Sequence, residues 1–194
     1  MTSPHYASAA PIHERGLHSR AGNAMARTRA AVLDGAARAV EKHGARKATM
    51  ADIASLAGIA KGTLYNHFRA KEAVYAAALD AAIRNLTLEC VVVAPDGLAD
   101  ALVIAADRIG TNAALRRIAA DEPAVLAALV TPTTMPLWGL ARSSVRDVLV
   151  AAGATTSAGT VDLVLRWLVS HIAAESSDVE VEAATLAAGL APQP

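Results

Sequence analysis

The chain has 194 residues, room for one domain or for a small domain fused to a larger one, and it is 54% hydrophobic but only 3% aromatic, so Ala, Val, Leu and Ile must build its core. Its zero formal charge hides a split: residues 1–75 carry 11 Lys/Arg against 5 Asp/Glu, residues 76–194 carry 7 against 13, and a basic front end on an acidic body points to an anionic partner for the front end. One cysteine, Cys90, excludes an intramolecular disulfide and a cysteine-based metal site. With no signal-like segment and no apolar run long enough to span a bilayer, the expectation is a soluble cytoplasmic protein.

Residues 1–24 hold two prolines and show no periodicity. They read as a flexible arm: either a plain tail or a strand of chain whose Arg15 and Arg20, with Arg27 and Arg29 just beyond, reach DNA. Val32, Leu33, Ala36, Ala37 and Val40 then fall at helical spacing, which predicts a helix over 26–43 with Gly44 as its left-handed terminator. Thr49 opens a second helix. Its hydroxyl suits the N-cap, and Asp52, three residues on, can take the reciprocal role of a capping box. Ile53 and Leu56 point inward, Ala54 is small enough for a close crossing, Gly58 supplies a left-handed turn and Ile59 plugs the core. A third helix is predicted over 61–67, with Leu64 inside, and a fourth over 71–90 with a stripe through Val74, Ala78, Ala82 and Leu86.

Pro95–Asp96–Gly97 is a break. Helices are predicted over 98–109, 113–119 and 124–129, the last begun by Pro123 beside two acids. The run from Thr131 to Pro136 breaks the chain again. Helices over 137–152, 160–175 and 181–190 complete it. The segment over 160–175 is apolar almost all round, which suits burial on several sides. Only Val91–Val92–Val93–Ala94 has any strand character. The fold class is therefore all-α. Its organisation is an arm (1–24), a three-helix DNA-binding domain with a helix-turn-helix (25–72) and a further helical domain (73–194).

The residues Ala54, Gly58, Ile59, Lys61, Gly62, Thr63, Leu64, Tyr65, His67, Phe68, Lys71 and Glu72 carry the most specific signal, a helix-turn-helix ending in GTLYNHF and then KE. Over about 28–75 this resembles the tetracycline-repressor family of bacterial regulators. The resemblance implies that the helix over 61–67 enters the major groove of a near-palindromic DNA operator. Gly62 would allow close approach. Lys61 and Thr63 would read base edges or phosphates, Asn66 a base or the backbone, and Thr49, Tyr65, His67 and Lys71 would hold phosphates. Phe68 and Leu64 belong to the core. Two positions depart from the family, Ala60 and Ala70, where a Ser or Thr cap is common.

The resemblance further implies that residues 73–194 are a ligand-binding, regulatory and dimerisation domain, with a homodimer joined through the helices about 137–152 and 160–175 and a pocket for a small-molecule effector. Candidate linings are Leu86, Cys90, Met135, Trp138, Arg142 and Trp167, with Arg142 the best partner for an acidic group. Neither a cofactor nor a metal is expected, and no membrane contact. A regulator of the same fold without a small ligand, answering to a protein partner or acting architecturally, is the alternative. An enzyme is the rival from another class: His171 and Glu175 share a helix face. No third ligand beyond Asp178 and no nucleophile motif accompany them, so no catalysis is expected.

Overall fold

Helix α1 (His13–His43) is the longest element of the computed structural model, which describes residues 13–131, 136–174 and 176–191. It begins thirteen residues before the predicted start. Residues 13–25 include Glu14, Arg15, Leu17, Arg20 and Ala21, all good helix formers. Periodicity reports a buried face, and Ala24 and Met25 at the end of this stretch are exposed. The arm reading, so far as it covers 1–12, lies outside the described residues.

Gly44 ends α1 with φ +78°. Then come α2 (Met50–Leu56), α3 (Lys61–His67) and α4 (Lys71–Val93). The weak strand signal over 91–94 is thus absorbed: Val91–Val93 form the last turn of α4 and pack as helix. The remaining helices are α5 (Leu98–Gly110), α6 (Ala113–Asp121), α7 (Pro123–Val130), α8 (Pro136–Ala151), α9 (Ala158–Ala173) and α10 (Val179–Leu190). Among the described residues there is no strand, and no helix is long and apolar enough to cross a membrane.

Two apolar cores organise these helices. Val32, Ala36, Ile53, Leu64, Phe68 and Val74 build the first, between α1, α2, α3 and the start of α4. Leu102, Trp138, Leu149, Val164, Leu168 and Leu190 anchor the second, between α4, α5, α8, α9 and α10. Each fully buried Leu or Ile contributes about 1.5–3 kcal/mol of transfer free energy. With almost no aromatics, close helix approach supplies the rest. Gly35 marks the tightest point: a Cβ there would lie 2.8 Å from the Cβ and the amide nitrogen of Ala57 and 2.9 Å from the Ile53 carbonyl oxygen. Helices α1 and α2 cross in near backbone contact.

No loop separates the cores. Helix α4 carries Val74 into the first and Cys90 into the second. Helix α6 also packs against α1.

Candidate nucleic-acid interface and interior cavity

The helix-turn-helix is held by backbone and caps. Thr49 has extended backbone (φ −112°, ψ 163°). Its hydroxyl accepts from the Asp52 amide at 3.2 Å and donates to the Asp52 carboxylate at 2.6 Å, while the Thr49 amide donates to the same carboxylate at 2.9 Å. These bonds from the Thr49 hydroxyl and amide hold the Asp52 carboxyl below the usual carboxylate range. The capping box expected from sequence is formed. The turn needs Gly58 at φ +67°. Its amide donates to Ser55, and the Ile59 amide returns to the Ala54 carbonyl at 3.0 Å. Neither Ala60 nor Ala70 caps its helix through a side chain.

Leu64 of α3 and Phe68 at its C-cap are buried and turn the opposite face of the helix outward. Lys61, Gly62, Tyr65 and Asn66 are exposed there, with Thr63 and His67 half-buried at its flanks. The Lys61 ammonium sits 6.0 Å from the Tyr65 ring centroid, near enough for a cation–π contact. A Cβ added at Gly62 would meet no atom within 4 Å. Nothing inside the protein requires glycine at that position.

Lys71, expected at a phosphate, faces protein carbonyls in this structure. Its ammonium donates to three carbonyls, Ala45 at 3.1 Å, Arg46 at 2.7 Å and Ala48 at 3.2 Å. An ammonium has three protons, so this geometry leaves none for a phosphate. Thr49 is similarly committed to Asp52. The loop that Lys71 grips, residues 44–48, receives other bonds. The Tyr75 hydroxyl donates to the Ala45 carbonyl at 3.2 Å, and burial, reinforced by Glu122, Glu72 and Asp52, pushes this phenol up to about 12. From the far side the Glu122 carboxylate accepts the amides of Ala45 at 2.7 Å and Arg46 at 3.0 Å. Glu122 stands between α6 and α7, so these two helices reach the segment that launches α2. Sequence reading saw Glu122 only as a helix-start acid, because its contact spans 77 positions. Gly35 carried a readable signal, a glycine inside a helix, which usually marks close packing.

Within the second core lies a cavity of about 180 Å³. Its wall includes Leu86, Cys90 and Trp138, with residues of every helix from α4 to α9. Two of the expected lining residues stand elsewhere. The Arg142 guanidinium donates to Asp162 at 2.9 Å, an ion pair outside the wall. The Trp167 indole donates to Glu182 at 2.8 Å on the α9–α10 side. Each is drawn off by an acid that sequence spacing did not bring near it. Met135 lies outside the described residues. No charged residue lines the cavity.

His171, read with Glu175 as a metal or acid–base pair, is buried. Its Nδ1 lies 2.8 Å from the Trp167 carbonyl oxygen and its ring packs edge-on to the Trp167 indole. Glu175 is outside the described residues. Among the described residues no group of three His, Cys, Asp or Glu side chains is placed to hold a metal ion.

Residues 32–78 match the family of bacterial regulatory proteins called the tetR family. These residues form a tetR-family domain. The match ends where α4 leaves the first core. Two relatives agree with it, each 45% identical over 53 residues. They are the HTH-type transcriptional regulator TtgR and the probable HTH-type transcriptional regulator ArpR, both of Pseudomonas putida. Each alignment covers 27% of this chain and 25% of the relative, so the likeness spans about a quarter of either protein. The tetR-family domain is accordingly the part that the comparisons describe, and the helices beyond α4 stand on their own geometry.

Proposed function

We propose that this tetR-family protein is a ligand-responsive, dimeric transcriptional repressor of the bacterial cytoplasm. The observation that carries the DNA-binding part is the outward face of α3, where Gly62 is bare although no protein atom crowds it. A helix face kept free of side-chain bulk, flanked by Lys61, Thr63, Tyr65 and Asn66, fits the floor of a major groove. Both relatives bear the name of helix-turn-helix transcriptional regulators, which supports the same reading. Lys61 and Thr63 read bases, Tyr65 and Asn66 contact bases or backbone, and His67 holds a phosphate at the edge. Lys71 serves from behind, fixing the loop ahead of α2.

The dimer forms through α8 and α9. One face of α9 packs inward through Val161, Val164, Leu165 and Leu168, while Leu163 remains 48% exposed on the other side and Val150 of α8 63%. A second copy covering these residues places two α3 helices about 34 Å apart on a near-palindromic site. An effector bound in the second core favours a conformer whose α3 helices fit DNA poorly.

A titration of the purified protein on the DNA flanking its own gene, at several salt concentrations, tests the reading. Saturable binding that outcompetes random DNA and weakens at least tenfold in Tyr65→Ala is expected. Substitutions of Lys61 and Thr63 shift sequence preference. If they lower affinity for every sequence alike, they do not read bases.

A further inference from the structure

The cavity is small for the purpose just proposed. At about 180 Å³ it falls below the range of roughly 300–1,000 Å³ that takes drug-sized ligands, and slightly above the ~150 Å³ apolar cavity that holds one benzene. No helix or peptide of a second chain enters such a volume, since a helix alone is about 10 Å across. What it admits is one ring, or a short branched chain.

Its wall sets the charge. None of the lining residues is ionised. The Cys90 thiol is buried, donates to the Ala101 carbonyl at 3.4 Å and is pushed up to about 11 by that burial, so it remains neutral. An ion entering here leaves water with no counter-charge to meet it. Arg142, the residue that seemed suited to an acidic ligand, is paired with Asp162 off the wall.

The wall offers almost no polar surface to an occupant. The Thr87 hydroxyl donates to Ile83 at 2.7 Å. Trp138 and Ser144 of α8 also line the cavity, Trp138 only 7% exposed. Burial of apolar surface is therefore what holds an occupant there.

We infer that the cavity binds an uncharged, mostly apolar molecule of single-ring size. This rests on the ligand-responsive reading for its biological meaning, but the occupancy is testable without DNA. Cyclohexanone, methylcyclohexane, cyclohexanecarboxylate and decalone are titrated against the full chain in sealed capillaries, and the rise of Tm with concentration gives each Kd. Cyclohexanone and methylcyclohexane should each saturate the protein. The carboxylate should bind on the order of a hundredfold more weakly than the ketone, and the two-ring decalone should also bind less well than the one-ring ketone. Ala141→Phe, a half-buried wall position, should block both probes while the unliganded protein still melts cooperatively.

Carboxylate affinity equal to the ketone's overturns the inference, as does failure of both neutral probes to saturate. Operator affinity, measured separately, keeps the two readings apart. Cyclohexanone that binds without loosening DNA leaves the ligand class standing and sinks ligand responsiveness. DNA release by charged or multi-ring compounds, with no cyclohexanone binding, does the reverse.

Discussion

At Gly62 a methyl group would meet no protein atom within 4 Å, whereas at Gly35 it would meet Ala57 and Ile53 at under 3 Å. The two glycines are both helical and their substitutions have opposite outcomes. Gly62→Ala removes the helix penalty of glycine, so it should leave stability unchanged or raise it by up to about 1 kcal/mol. The same change should weaken DNA binding. Equal DNA affinity in the variant would show that α3 approaches nothing closely there. Gly35→Ala drives a Cβ into backbone that cannot yield, and overpacking of that kind costs about 1–3 kcal/mol. Chemical denaturation separates the pair. Titration at Tyr75 offers another check at this scale. Its phenol is raised from 10.0 to about 12 in the folded protein. Between those values the folded state binds more protons than the unfolded state, so stability is full below about pH 10 and falls as pH rises towards 12. Tyr75→Phe should abolish that portion of the alkaline decline.

Short elements take their position here from side chains far away in sequence. The loop of residues 44–48, which leads into α2, has its carbonyls held by Lys71 and Tyr75 and its amides by Glu122. Lys71→Met should therefore cost about 1–3 kcal/mol of stability, from loss of bonds to a charged donor. Its salt dependence on DNA should match that of wild type. A slope lowered by about 1 would restore a direct phosphate contact. Glu122→Ala leaves two amides without their acceptor and should cost about 1–2 kcal/mol, measured by urea unfolding. Because Glu122 follows α6 and begins α7, while Leu115 of α6 and Leu129 of α7 line the cavity, the substitution should also loosen the link between the two cores.

For the whole molecule, the exposed side of α9 sets the expected assembly. Leu163→Arg places a charge on a side chain that is 48% exposed in the single chain, so the isolated fold should survive. Sedimentation should show a monomer, and DNA affinity should collapse because a single α3 reads only half a site. A variant that remains dimeric would move the interface elsewhere. The cavity belongs to this scale too, since helices from α4 to α9 all contribute to its wall and no single segment encodes it.

Local chemistry made the tetR-family domain readable from the amino-acid order alone. The capping box at Thr49 and Asp52, the left-handed Gly44 and Gly58, the inward Leu64 and Phe68 and the bounds of α3 all depend on neighbours within a few residues. The all-α character of the remainder followed from periodicity and from its proline and glycine breaks. Contacts between distant segments decided the rest. Glu122 meets the loop after α1, Arg142 turns to Asp162 and Trp167 to Glu182, and Lys71 closes on three carbonyls. A charged side chain goes to whichever partner the packed helices bring within hydrogen-bonding reach, and the order of residues along the chain does not contain that distance.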